Sequence, residues 1–168
     1  GRADDFVMGF EESYGYLVGT HARDKDAIVS SMLICQMAAW YKNQGKTLLD
    51  GLSDIYSEYG FYLDSLDSFV LQGKDGAGKI QNLMSFFREK GTALFDGIES
   101  MIDYSKGVAD LPKENVLKYI WNDGSWIAVR PSGTEPKIKV YYSVRDSSKE
   151  HAEKRLADIK KSIGSMIE

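Results

Sequence analysis

The chain has 168 residues, of which 43% are hydrophobic and 27% are charged, enough for one moderate domain or for a small domain with part of another. Its 21 Lys and Arg residues and 25 Asp and Glu residues give a formal net charge of −4, which argues against a general nucleic-acid-binding protein. The apolar runs are too short to span a bilayer and no signal peptide opens the chain, so we expect a cytoplasmic protein with no membrane partner.

The first 60 residues predict one strand and two helices. A strand over 6–10 is followed by a polar, glycine-rich loop over 11–20, a helix over 24–43 and a second helix over 47–59. Because a lone strand needs neighbours to be stable, we expect this part of the sequence to be cut from something larger.

The helix over 24–43 carries two adjacent rows of apolar side chains. They are Ile28, Met32, Cys35 and Ala39 in one row, and Leu33, Met37 and Trp40 in the other. Two such rows predict a helix that is buried around most of its circumference. The single cysteine, Cys35, cannot form an intrachain disulfide, and we expect it to be a small buried apolar side chain.

From residue 61 onward, strands and helices alternate. Strands are predicted over 61–72, 98–104, 116–121, 126–130 and 138–144, and helices over 78–90 and 149–167. The Asp123-Gly124 dipeptide predicts a hairpin between two of these strands. The pattern indicates an α+β fold, with a four-to-five-stranded antiparallel sheet and two helices on one face.

A glycine-rich segment over 73–80 nearly matches the phosphate-binding loop of nucleotide-binding proteins. Ile80 stands where that motif requires a Ser or Thr hydroxyl for Mg²⁺. The neighbouring strands are predicted to be antiparallel, whereas nucleotide-binding units have parallel sheets. We therefore predict a tight strand-to-helix turn and no nucleotide site.

The segment over 129–140 combines cationic and hydroxyl groups at the junction of two predicted strands. Arg130 can donate two parallel hydrogen bonds, and Ser132, Gly133 and Thr134 form a tight turn with hydroxyl and backbone donors. This chemistry suits a phosphate group. The alternative is a plain hairpin loop whose charged side chains are solvated.

A second candidate site lies over 9–26. Glu11 and Ser13 suit the recognition of sugar hydroxyls, although the capping of a turn or helix explains them equally well. His21 and Lys25 lie close by in the sequence, and each is ordinarily an exposed side chain. No set of His, Cys, Asp and Glu has metal-ligand spacing, so no metal site is predicted.

Three motifs occur together in a familiar order: GFEESYG at 9–15, RDKD at 23–26 and RPSGTEPK at 130–137. In this order and spacing they resemble the C-terminal portion of the α-D-phosphohexomutases, the phosphoglucomutase/phosphomannomutase family. The resemblance implies that residues 1–60 are the last part of an α/β third domain. It implies that residues 61–168 are a complete fourth domain with a TBP-like fold.

The resemblance also implies a role for individual residues. Glu11 and Ser13 would bind sugar hydroxyls, and Lys25 would be the general acid/base, with His21 as the alternative. The residues implied in binding the substrate phosphate are Arg130, Ser132, Gly133, Thr134 and Lys139.

The activity implied is the interconversion of glucose 1-phosphate and glucose 6-phosphate, with mannose phosphates as further substrates. It would require a phosphoserine, Mg²⁺ and glucose 1,6-bisphosphate as intermediate and activator. The serine loop and the Asp-x-Asp-x-Asp metal loop of the family are absent from this sequence, so the chain would depend on the rest of its own protein and be inactive alone. The alternatives are a phosphopentose or phosphoglucosamine mutase, or a non-catalytic phospho-ligand module. An exposed sheet edge can also pair with another copy.

Overall fold

The computed structural model describes residues 5–11, 14–71, 75–133 and 135–167. The chain forms two compact units, an N-terminal unit up to Glu58 and a C-terminal unit from Tyr59. The assignment of 1–60 and 61–168 to two domains of a longer enzyme stays a prediction. None of the helices in the described ranges is long and apolar enough to cross a membrane.

In its described residues, the N-terminal unit consists of a two-stranded hairpin and two helices. Antiparallel strands β1 (Met8–Phe10) and β2 (Tyr16–Val18) are followed by α1 (Ala27–Asn43) and α2 (Leu48–Tyr59). The prediction of loop throughout 11–20 is wrong, because β2 lies within it. The chain turns back after β1, and the three residues of β2, which favour extended backbone, pair with it. The Gly19 N–H donates to the Val7 carbonyl at 2.9 Å.

Helix α1 begins three residues later than predicted because Asp26 caps it. One Asp26 carboxylate oxygen accepts hydrogen bonds from the backbone N–H groups of Ile28 and Val29, at 2.9 and 3.1 Å. These two donors would otherwise have no partner at the helix start.

The predicted burial of α1 is wrong. None of its 17 residues is buried, Ile28 is 83% exposed and Trp40 is 59% exposed. Cys35, predicted to be buried, is exposed as well. A short hairpin and one further helix provide too little surface to cover α1 on several sides, whatever the apolar content of the helix itself.

The C-terminal unit is an α+β fold, as predicted. The five strands that the described residues form here make one antiparallel sheet in the order β3-β7-β6-β5-β4. Its elements are β3 (Phe61–Val70), α3 (Gly76–Lys90), β4 (Ile98–Asp103), β5 (Leu117–Trp121), β6 (Trp126–Pro131), β7 (Lys137–Asp146) and α4 (Lys149–Ile167).

One face of this sheet forms the core with α3 and α4. Every second residue of β7 is buried there, namely Ile138, Val140, Tyr142 and Val144. Met84 and Phe87 of α3 and Ile159 and Ile163 of α4 belong to the same cluster. Strand alternation places the remaining residues of β7 on the other side of the sheet, which we call the open face.

The Asp123-Gly124 hairpin between β5 and β6 is confirmed. Gly124 has φ +85°, and its N–H donates to the Trp121 carbonyl at 2.9 Å. Arg155 of α4 forms an ion pair with the Asp123 carboxylate. The turn is therefore attached to the helix that covers the core.

Candidate functional site

In the N-terminal unit, two of the predicted site residues lie together. The Lys25 ammonium is 3.5 Å from a Glu11 carboxylate oxygen and 3.3 Å from Asp24 Oδ1. The Asp24 carboxylate, and to a smaller extent that of Glu11, raises the pKa of Lys25 above its ordinary value. Lys25 is therefore a cation at neutral pH. Ser13 lies outside the described residues.

Gly15 makes this contact sterically possible. A Cβ at Gly15 would lie 2.0 Å from Lys25 Cδ and 2.7 Å from Glu11 Oε1. The Gly15 carbonyl also accepts a hydrogen bond from the Glu11 N–H at 3.0 Å. The motif over 9–15 contains this glycine, but its close approach to Lys25 is not predictable from the sequence.

His21 has a different partner. Its Nε2 is 2.9 Å from Asp26 Oδ2, on the carboxylate that caps α1. The hydrogen bond with His21, followed by those from the helix N–H groups, lowers the pKa of Asp26. The structure thus groups His21 with the start of α1, and Lys25 with Glu11.

In the C-terminal unit, Arg130 and Lys139 lie directly opposite each other. They are register partners on the adjacent strands β6 and β7, and both side chains belong to the open face. Like charges in opposite positions destabilise a sheet, and neither side chain forms an ion pair within the described part of the chain. This arrangement favours an anion that interacts with both cations.

The β6–β7 loop, residues 132–136, is held by backbone hydrogen bonds at its base. The Ser132 N–H donates to the Lys137 carbonyl at 2.8 Å, and the Lys137 N–H donates to the Glu135 carbonyl at 2.7 Å. The Ser132 N–H therefore closes the hairpin, although the backbone of this turn was expected to supply donors for a phosphate. Thr134 lies outside the described residues.

A cavity of about 410 Å³ lies between this loop and the first turns of α3. Ser132 and Gly133 line it, together with Gln81 and Asn115, whereas Arg130 and Lys139 do not. The structure thus places the predicted phosphate-binding residues in two groups: Arg130 and Lys139 on the open face, and Ser132 and Gly133 at the cavity.

Glu135 adds a negative charge near the cationic pair. It forms an ion pair with Lys137, which lowers the pKa of the Glu135 carboxyl, and the charge of Lys139 has a smaller effect in the same direction. An anion bound by Arg130 and Lys139 would therefore compete with Glu135 for the neighbouring ammonium groups. Within the described ranges, no three His, Cys, Asp or Glu side chains form a group that could hold a metal ion.

Two family models match this sequence. Residues 2–59 match the alpha/beta/alpha domain III of phosphoglucomutase/phosphomannomutase. Residues 87–161 match the C-terminal domain of phosphoglucomutase/phosphomannomutase. The two matches occur in the order expected of one family.

Similar curated proteins carry the name phosphoglucomutase. One from Staphylococcus epidermidis is 42% identical over 153 residues, covering 83% of this chain and 28% of the relative. One from Staphylococcus aureus is 38% identical over 154 residues, covering 84% of this chain and 28% of the relative. The chain thus spans little more than a quarter of the length of these relatives.

A solved structure has the same fold. It is the open form of the exocytosis-sensitive phosphoprotein parafusin, a phosphoglucomutase from Paramecium. The TM-score is 0.67 at 21% sequence identity, and the match covers 92% of this chain and 29% of the other.

Proposed function

Because the chain belongs to the phosphoglucomutase/phosphomannomutase family, we propose that it supplies the sugar-binding and phosphate-binding residues of an enzyme that interconverts glucose 1-phosphate and glucose 6-phosphate. The relatives named phosphoglucomutase support this substrate. Since the chain spans 28% of their length, the activity is proposed for the longer protein, and the rest of that protein is the partner of this chain.

The facing cations Arg130 and Lys139 are the observation that carries the proposal. A mutase must hold the phosphate that is not reacting while a second phosphate is transferred. Charge-assisted hydrogen bonds, each worth roughly 1.5–3 kcal/mol, hold an anion strongly without a covalent bond. Ser132, Gly133 and Thr134 are proposed to complete this phosphate site from the β6–β7 loop.

Glu11 and Ser13 are proposed to bind the sugar hydroxyls, and Lys25 to act on a proton of the reacting sugar oxygen. The raised pKa of Lys25 keeps its ammonium protonated at neutral pH, and its contact with Glu11 supports a position beside the sugar. A protonated Lys25 can give its proton to a sugar oxygen as that oxygen loses its phosphoryl group. The contact between His21 and Asp26 favours Lys25 over His21 for this role.

The phosphoserine and the Mg²⁺ site are proposed to belong to the rest of the protein. The sequence has no Ser-His-Asn-Pro loop and no Asp-x-Asp-x-Asp loop, so no residue of this chain is assigned to the metal. When bound, Mg²⁺ neutralises charge on a transferring phosphoryl group. Glucose 1,6-bisphosphate is proposed as the intermediate and activator.

The test is an assay on glucose 1-phosphate of the full-length protein that carries this sequence. Arg130→Ala removes a bidentate phosphate contact, so we expect kcat/KM to fall about a hundredfold. Arg145→Ala is the matched control, because Arg145 lies on the same open face with its guanidinium 5.4 Å from the Tyr62 ring centre. Normal turnover by Arg130→Ala would exclude the phosphate-binding role.

The sugar is tested separately. Specificity constants for glucose, mannose, glucosamine and ribose monophosphates should be measured with the same protein. We expect the value for glucose 1-phosphate to be the largest. A larger specificity constant for the pentose or glucosamine monophosphate would assign the protein to another branch of the family.

A further inference from the structure

No residue of the glycine-rich segment over 73–80 is assigned to the proposed phosphate site. Its likeness to a nucleotide-binding loop fails in the structure as well as in the sequence, because Ile80 is a core residue only 7% exposed. Gly76 is also buried and is the first residue of α3. The contacts of this buried glycine indicate a different role for the segment.

Gly76 lies against the end of β3 and against the β6–β7 loop. A Cβ at this position would lie 2.3 Å from the Leu71 carbonyl oxygen and 3.1 Å from Pro136 Cβ. The first distance is far below any real contact of a Cβ atom, and the obstructing atom belongs to the backbone. Gly76 is required here because space is lacking.

The residue that Gly76 contacts is itself bonded to the loop. The Leu71 N–H donates to the Pro136 carbonyl at 2.8 Å, extending the pairing of β3 with β7 by one residue. On the other side, the Ser132 N–H donates to the Lys137 carbonyl at 2.8 Å. The base of the loop is therefore held by the bond between Ser132 and Lys137 and by the residue that follows β3. A displacement of Leu71 can be transmitted to Pro136 through their hydrogen bond.

We propose that Gly76 is a positioning residue for the phosphate site: the first turn of α3 packs directly on Leu71 and Pro136 and so sets the position of the β6–β7 loop. This inference rests on the proposed phosphate-binding function of that loop. It gives Gly76 a mechanical role, within a segment whose sequence predicts no nucleotide site.

The test uses the 168-residue chain labelled with ¹⁵N and titrated with inorganic phosphate. In Gly76→Ala, we expect the backbone amide resonances of Ser132 and Lys137 to shift before phosphate is added, and phosphate affinity to fall about tenfold, the effect of one lost charge-assisted hydrogen bond. Urea denaturation of the same variant separates this effect from a general loss of stability.

Gly78→Ala is the matched control. Gly78 lies in the same helix, two residues later, and a Cβ there meets nothing within 4 Å. We expect wild-type resonances for the loop and wild-type phosphate affinity. Wild-type resonances and affinity in Gly76→Ala too would overturn the inference.

Arg130→Ala separates the two hypotheses. If it weakens phosphate binding while Gly76→Ala does not, the proposed function stands and the positioning role is wrong. If Arg130→Ala leaves phosphate binding unchanged, the proposed phosphate site is wrong. The positioning role for that site is then wrong as well, and shifted loop resonances in Gly76→Ala would show only that Gly76 sets the position of the loop.

Hydrogen exchange of the wild-type chain tests the bond between the Leu71 N–H and the Pro136 carbonyl, even if Gly76→Ala fails to fold. The Leu71 amide should exchange slowly because it is bonded to Pro136. By thermodynamic reciprocity, phosphate that orders the loop should slow this exchange further, by several-fold. Exchange at the rate of a free peptide, or a rate that bound phosphate leaves unchanged, would overturn the inference.

Discussion

At the scale of single residues, the planar guanidinium of Arg130 is what distinguishes a phosphate site from a merely cationic patch. Arg130→Lys keeps the charge but removes the two parallel hydrogen bonds. We expect kcat/KM for glucose 1-phosphate in the full-length protein to fall about tenfold, the effect of one lost charge-assisted bond. The same change at Arg145 is the control, and equal losses in both variants would contradict a specific role for Arg130.

A second residue-scale prediction concerns the buried carboxylate of Asp103. Burial alone would raise its pKa, but hydrogen bonds from Arg88 and Ser105 outweigh this effect and lower the pKa to about 2. The Arg88 Nε lies 2.8 Å from Asp103 Oδ2. Asp103→Asn leaves Arg88 without its counter-ion, so we expect the free energy of unfolding to fall by about 3 kcal/mol.

Urea denaturation at neutral pH measures this loss, with the exposed Asp64→Asn as control. The pH dependence has a definite sign, since the pKa of Asp103 is lower in the folded state than its ordinary value of 3.8. Its stabilising contribution is therefore complete above about pH 4 and is lost as the pH falls towards 2. Equal stability of Asp103→Asn and wild type at neutral pH would contradict the ion pair.

At the scale of elements, two glycines predict opposite effects of the same substitution. Gly124 has φ +85° in the β5–β6 turn, where a Cβ costs about 1 kcal/mol. Gly164 lies inside α4, and a Cβ there would meet nothing within 4 Å, so alanine favours the helix by up to about 1 kcal/mol. We therefore expect Gly124→Ala to lower the urea midpoint and Gly164→Ala to raise it. A shift of the same sign in both would show that backbone conformation does not govern these positions.

The elements of the C-terminal unit were predictable because the spacing of apolar residues within each element indicates a strand or a helix. The alternation along β7 and the apolar positions of α4 reflect which face they bury, and both elements lie close to their predicted bounds. The strand β2 was missed because three residues between polar turns give little periodicity. The burial of α1 and Cys35 was wrongly predicted because burial depends on what covers a helix, which its own sequence does not reveal.

The candidate site was predictable in its residue types but not in its geometry. Arg130 and Lys139 are opposed only because the length of the β6–β7 loop sets the register of the two strands. The contact of Lys25 with Glu11 likewise depends on Gly15, which lies between them in the sequence and leaves space for both. The roles of Ser13 and Thr134, which lie outside the described residues, remain predictions.

At the scale of the whole molecule, the proposed division of chemistry predicts that the 168-residue chain has no mutase activity. Phosphoryl transfer requires the nucleophile, the metal and the cationic phosphate site together, because positioning and electrostatics supply nearly all of the catalysis. The sequence contains the residues proposed for the last of these and neither of the family's loops for the first two.

We therefore expect the purified chain to convert no glucose 1-phosphate above background, while inorganic phosphate still shifts the amide resonances of the β6–β7 loop. Restoring the rest of the protein should restore turnover, and Arg130→Ala should reduce it in that longer protein. Turnover by the purified chain would contradict this division, because Arg130, Lys139 and Lys25 would then have to act with a nucleophile from this sequence. The phosphate-induced shifts distinguish an inactive chain with a formed binding loop from one that is inactive because the loop does not form.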